Sequence, residues 1–162
     1  MSKKLCGKFR PGHFVSVVDV IDRFIKIIKP KKIYLGEKDM QQLKIIEHFV
    51  KTNRINTKVI RCKTIREKNG VPYSSRNFLL SPNEKKIASK IYKLIVSKKK
   101  YLIKNNFFLN NIKRKIFQIG VKKIDYIKIL DINRLIKPYK RNKEYRIFVA
   151  YYLKSTRLID NI

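Results

Sequence analysis

The sequence predicts an α/β protein in two parts: a partial parallel sheet, then a small α+β domain. Three observations carry this. Strand-like and helix-like segments alternate with short joints up to about residue 64, as in βαβ units. A turn-like stretch around Asn69-Gly70 then breaks the alternation. Two helix-length segments follow, and after them two strand-like ones, which is the segregated order of an α+β domain. The expected domains are residues 1–64 and 65–162.

The first helix is predicted over His13–Ile28. Phe14, Val17, Val18, Ile21, Phe24, Ile25 and Ile28 recur at helical spacing, and Pro30 stops the helix. Lys32–Leu35 is short, β-branched or aromatic, and runs into Gly36, as a buried strand does. A second helix is expected from about Asp39 to Val50, with Leu43, Ile46 and Phe49 on one side. Thr57–Cys62 reads as the next strand, parallel to the first through a right-handed crossover. In such sheets ligands bind beyond the carboxyl ends of the strands, here at Gly36–Asp39 and after Cys62.

In the second part, Ser81-Pro82-Asn83-Glu84 is a helix start, with a serine cap, proline at the first helical position and a glutamate to complete the capping box. That helix is expected to reach about Val96. Another is expected between Asn106 and Ile119, ended by Gly120. Strands are expected near Tyr126–Leu130 and Tyr145–Leu153.

Composition narrows the class. Hydrophobic residues make up 44% of the 162, enough for a packed core. The formal charge of +30 points towards nucleic acid at first sight. It comes from 30 Lys against 11 Arg, beside 25 Ile and 12 Asn, which is the residue set that A/T-rich codons encode. The lysines are dispersed, the densest run being Lys98-Lys99-Lys100, so a solvated face is favoured over a specific nucleic-acid site. Cys6 and Cys62 share no CxxC spacing, which argues against structural zinc and for a reduced, cytoplasmic setting. No run of about 18 uncharged apolar residues is present, and the start has no apolar segment of a secretory signal.

Several segments then stand out by order and interval. They are Arg10-Pro11-Gly12-His13-Phe14, Gly36-Glu37-Lys38-Asp39-Met40-Gln41-Gln42-Leu43, and Ile65-Arg66-Glu67 followed by Ser74-Ser75-Arg76-Asn77-Phe78-Leu79. Thr156–Asn161 adds a weaker match. Together they resemble the pantothenate synthetases (pantoate–β-alanine ligases), over almost the whole chain and in the C-terminal part of that family's sequence. The resemblance implies a Rossmann-like adenylate-forming domain followed by a C-terminal lid. It implies ATP with Mg2+, pantoate and β-alanine as ligands, and pantothenate as the product of a pantoyl adenylate.

By the same resemblance, Lys38 is the catalytic cation for the phosphates. Gly36, Glu37, Lys38 and Asp39 belong to the ATP site, with Ile65, Tyr73, Ser74, Ser75 and Arg76. Gln42, Val20 and Ile21 match the pantoate pocket, and no residue is assigned to a protein-held metal. Each has a plainer alternative: Asp39 as a helix cap, Arg76 as a surface ion-pair partner, Val20 and Ile21 as core. His13 and His48 are read as structural residues.

The match has gaps. The family's His-x-x-His-type motif and a further pantoate-binding glutamine, both from its N-terminal half, have no counterpart here. The expectation is therefore a truncated ligase whose activity alone is open: a fragment of a longer protein, a decaying remnant, or a chain that pairs with a separately encoded N-terminal half or forms a homodimer. Ser16, Asp19 and Tyr73 depart from the usual Gly, Thr and Leu or Met. A carboxylate at Asp19 either repels the pantoate carboxylate or points away from it. The alternatives are a basic nucleic-acid-binding module and a non-catalytic remnant.

Overall fold

A computed structural model of the chain describes residues 2–104, 108–132, 135 and 144–162. The chain divides into two compact units, Met1–Thr64 and Ile65–Ile162.

Unit 1 contains a short helix α1 (Cys6–Phe9), α2 (His13–Ile28), β1 (Lys32–Gly36), a 3-10 turn (Glu37–Asp39), α3 (Met40–Thr52) and β2 (Lys58–Cys62). β1 and β2 are parallel, in the register Ile33↔Val59 to Gly36↔Cys62. Thr57 sets that register: its hydroxyl donates to the Pro30 carbonyl at 2.8 Å, and the Lys58 amide donates to Lys31 at 2.9 Å. Ile25, Ile46 and Val50 form the core, with Val17, Val18, Ile21, Ile33, Leu35, Phe49 and Val59 packed on it. Burying each such side chain fully is worth about 1.5–3 kcal/mol. Glu47 ties α3 to β2 by accepting from Arg61 Nε at 2.6 Å and from Lys44 Nζ at 3.1 Å. Burial by itself raises the Glu47 carboxyl, but the hydrogen bonds and charges of Arg61 and Lys44 outweigh it and hold the group below its ordinary value.

The apolar surface of α2 is wider than one buried stripe. Phe14, Val17, Val18, Ile21 and Ile25 face inward, whereas Phe24 and Ile28 are 54% and 66% exposed. The i, i+3, i+4 rule selects both groups, because this helix is apolar on two adjoining sides. α1 is an element that periodicity over so few residues does not announce.

Unit 2 contains a 3-10 turn (Ser75–Leu79), α4 (Pro82–Lys104), α5 (Phe108–Gln118), and β3 (Lys123–Asp131), β4 (Tyr145–Leu153) and β5 (Thr156–Asn161). The sheet is antiparallel in the order β3-β4-β5. Ile91, Ile95, Ile112 and Ile116 of the helices meet Ile147, Val149, Tyr151, Leu153 and Leu158 of the sheet in one core. The alternate residues of β4 supply that face, as a period of two requires.

α4 begins as its capping box dictates. The Ser81 hydroxyl and amide both donate to Glu84 Oε2, at 2.7 and 2.8 Å. The helix runs past the expected end at Val96 to Lys104, because Ser97–Lys104 holds no Pro or Gly to stop it. The expected α5 start at Asn106 lies outside the described residues; the described helix begins at Phe108. β5 is an additional strand. The β4–β5 connection is Lys154-Ser155, with Lys154 at φ 46°, so it lacks the Asn-Gly signature that announces a tight hairpin. No helix among the described residues is long and apolar enough to cross a membrane.

Candidate active site

In unit 1 the carboxyl ends of β1 and β2 coincide, since Gly36 pairs with Cys62. The chain leaves β1 there and turns through Glu37–Asp39 directly into α3. Parallel strands present their ligand-binding edge at this end, and the turn is the first segment beyond it.

Gly36 has φ −70°, a conformation open to any residue, and a Cβ added there would meet nothing within 4 Å. Its glycine character leaves open space beside the turn rather than serving the backbone. Lys38 and Glu37 are half-buried, and both have partners within the chain. Asp39 is exposed and occupies the N-cap position of α3, but its side chain makes no capping bond. The carboxylate of Asp39 therefore does not serve as a capping acceptor.

The two adjacent glutamines are used differently. Gln41 is 5% exposed. Its oxygen accepts from the Cys6 amide at 3.0 Å, and its nitrogen donates to the Lys4 carbonyl at 2.6 Å, so it fastens the start of the chain to α3. Gln42 is half-buried and its side-chain amide makes no hydrogen bond among the described residues. On α2, Ile21 packs on the core of unit 1, and Val20 is 47% exposed. The Asp19 carboxylate accepts from Arg23 Nε at 3.1 Å one turn along the same helix. His13 Nε2 accepts from Arg10 Nη1 at 3.0 Å, a local contact at the helix start.

In unit 2, Arg66 and Pro72 form an antiparallel bridge, and the Tyr73 amide donates to Ile65 at 3.1 Å. This brings Ile65 and Tyr73 side by side, 73% and 61% exposed. Two large apolar side chains held in water next to a polar loop form a surface suited to a flat, apolar-faced ligand. Ser75 and Arg76 follow, both exposed, and the Arg76 guanidinium has no ion pair among the described residues. Ser74 Oγ accepts from the Arg76 amide at 3.3 Å, which fixes the loop's direction. Within unit 1 the structure thus gathers Gly36–Asp39 and Gln42 around the end of β1, and within unit 2 it gathers Ile65 and Tyr73–Arg76.

Residues to which the sequence analysis assigns no site role hold this second loop. Glu67 accepts from Asn77 Nδ2 at 2.6 Å and from Asn69 Nδ2 at 3.0 Å. Arg66 pairs with Asp160. Glu67 was visible within the Ile65-Arg66-Glu67 segment, but nothing local announces that its partner is ten residues further on.

Among the described residues no group of three or more His, Cys, Asp or Glu could hold a metal ion. A magnesium ion whose shell is mostly water and phosphate oxygens needs no such group.

A family model described as Pantoate-beta-alanine ligase matches residues 1–162. A pantothenate synthetase of Sulfurihydrogenibium sp. is 40% identical over 167 residues, covering 100% of this chain and 60% of the relative. One from Clostridioides difficile is 41% identical, covering 97% of this chain and 57% of the relative. The crystal structure of pantothenate synthetase from Thermus thermophilus superposes with a TM-score of 0.90 at 29% identity, over 99% of this chain and 59% of that one. The pantoate-beta-alanine ligase of Francisella tularensis, complexed with beta-gamma ATP and beta-alanine, gives a TM-score of 0.77 at 37% identity, over 99% of this chain and 54% of that one. The chain spans about 60% of the length of the curated relatives it matches.

Proposed function

The chain belongs to the pantoate-β-alanine ligase family, and from that premise we propose that it supplies the C-terminal part of an ATP-dependent ligase that makes pantothenate. The observation that carries this is the end of β1: an open Gly36, a turn bearing Lys38 and Asp39, and Gln42 with its amide unspent.

The proposed chemistry runs in two steps. A pantoate carboxylate oxygen bonds to the α-phosphorus of ATP as the bond to pyrophosphate breaks. The β-alanine amine then bonds to the acyl carbon, AMP leaves with the electron pair of the acyl–oxygen bond, and the amine gives up a proton. Lys38 places a cation where negative charge gathers on the phosphate oxygens in the first step. The Asp39 carboxylate accepts from ribose hydroxyls, and Gly36 lets the nucleotide approach the backbone. Gln42 donates to and accepts from pantoate, while Val20 and Ile21 offer apolar surface to its gem-dimethyl group. Ile65 and Tyr73 flank the nucleotide, and Ser74, Ser75 and Arg76 bind phosphate through hydroxyls and a guanidinium. Mg2+ would be carried mainly by the phosphate oxygens of the nucleotide and by water, and would supply charge neutralisation there.

We further propose that the N-terminal part of the fold, in the same or another polypeptide, covers α2 and the open face of the sheet. Val20, Phe24, Ile27 and Ile28 on α2 and Tyr34 on β1 are all exposed. A parallel pair of strands is ordinarily buried on both faces. A second copy of the chain is the alternative occupant. The deciding experiment is AMP and pantothenate release from pantoate, β-alanine and ATP, with and without the N-terminal part of a related enzyme. Absence of AMP in both arms removes the proposal.

A further inference from the structure

Ser74, Ser75 and Arg76 project from unit 2 with a single hydrogen bond among them, so their shape is set by the residues that flank them. Asn77, immediately after Arg76, is 5% exposed. Its side-chain nitrogen donates to Glu67 Oε1 at 2.6 Å and to the Pro72 carbonyl at 3.1 Å, and its amide donates to the Ser74 carbonyl at 3.0 Å. The other Glu67 oxygen accepts from Asn69, and the Glu67 amide donates to Val71 at 2.8 Å. Residues 72–77 are thus closed into a ring by the Asn77 side-chain nitrogen, which also rests on the Glu67 carboxylate.

We propose that Glu67 and Asn77 are a positioning pair that holds the Ser74–Arg76 loop in its ligand-receiving shape; this rests on the assignment of that loop to the phosphates of ATP. Three features support it. A hydrogen bond to an ionised carboxylate is shorter and stronger than a neutral one. The contact is sheltered, so water competes for it poorly. A loop fixed before the ligand arrives does not lose its own freedom on binding, and its donors stay aimed at the incoming charge. Asn77 Oδ1 is buried with no hydrogen-bond partner, so the side chain acts through its nitrogen alone. Exchanging that amide for a carboxylate removes both bonds and sets two carboxylates against each other.

The test uses the full chain, titrated calorimetrically with ATP and Mg2+, with amide hydrogen exchange followed at residues 73–77. Asn77→Asp is expected to weaken ATP binding at least tenfold and to speed exchange in the loop at least tenfold. The double variant Glu67→Gln/Asn77→Asp reverses the donor and is expected to recover affinity to within about threefold of the unsubstituted chain. Ile95→Val, which trims the core of unit 2 and alters none of these hydrogen bonds, is expected to lower thermal stability and leave ATP affinity within twofold. Should Asn77→Asp not fold, Glu67→Gln alone carries the test, with an expected loss of about threefold. Unchanged binding and exchange in Asn77→Asp, or equal losses in Ile95→Val, overturn the positioning role. Faster loop exchange in Asn77→Asp, with no ATP binding by the unsubstituted chain, keeps the positioning pair and removes the phosphate assignment.

Discussion

Arg66 and Asp160 stand 94 residues apart in sequence and are joined by two hydrogen bonds, Nη1 to Oδ2 at 2.7 Å and Nη2 to Oδ1 at 2.9 Å. The same guanidinium donates to the Gly70 carbonyl at 2.9 Å and lies 4.6 Å over the Tyr92 ring. Burial by itself lowers the Arg66 pKa; the hydrogen bonds and charge of Asp160 outweigh it, and the group ends above its ordinary value. One side chain thus fastens the turn before the Ser74–Arg76 loop to the last strand and to α4.

Asp160→Asn is predicted to destabilise unit 2 by about 2–4 kcal/mol, because it leaves a sheltered guanidinium facing a neutral amide. The lower part of that range reflects the 21% exposure of the Arg66 side chain. Urea titration of the purified variant measures it, and a midpoint equal to that of the unsubstituted chain refutes it.

Gly70→Ala is predicted to cost about 2–5 kcal/mol, the sum of a left-handed backbone penalty and overpacking. Gly70 sits at φ +91°, and a Cβ placed there falls onto the Tyr92 ring. A thermal melt within 1 °C of the unsubstituted protein contradicts the close approach.

Acidification is predicted to unfasten α3 from β2. The Glu47 carboxyl is held below the ordinary glutamate value of 4.5. A lowered folded pKa contributes stability that is present above that value and is lost as pH falls through the lower folded one. Glu47→Gln should therefore lower stability at neutral pH by about 1–3 kcal/mol and flatten the decline below pH 4.5. Parallel acid titrations of the two proteins give the answer; identical slopes count against it.

Ser81→Ala is predicted to lower stability by about 1 kcal/mol, the usual loss for a capping serine. Both the hydroxyl's donated bond and the bond it accepts from the Glu84 amide, at 3.3 Å, disappear. Circular dichroism melts resolve the change, and Ser81→Thr should restore most of it.

Lys38→Ala is predicted to reduce AMP release about 10²–10³-fold in an assay supplied with the N-terminal part of the fold, the size of effect seen when one charge-stabilising group is removed. Thermal stability should change little. A loss below threefold places the phosphate cation elsewhere.

Local signals announced much of this structure. Pro30 ends α2, the Ser81–Glu84 box starts α4, and Gly120 follows α5. The alternation of strand and helix before residue 64 gave the parallel pair β1 and β2. Each of these signals acts within about one helical turn or one strand of its own position. The candidate residues Gly36–Gln42 and Ser74–Arg76 were legible for the same reason, as contiguous segments.

Three features needed the folded chain. Periodicity marked seven apolar positions on α2 alike, yet Phe24 and Ile28 face outward, since a helix does not specify which of two apolar sides meets the core. The neighbours Gln41 and Gln42 look equivalent in sequence, and packing assigns one to the chain start and leaves the other open. β5 and its tie to Arg66 emerge only when residues 94 apart in sequence are brought within a hydrogen bond. Hydrogen bonds and apolar contacts act over a few ångströms, whatever the separation along the chain. The sequence by itself therefore determined the elements and the motif-bearing loops, and the tertiary structure decided which side chains hold those loops in place and which remain free for a ligand.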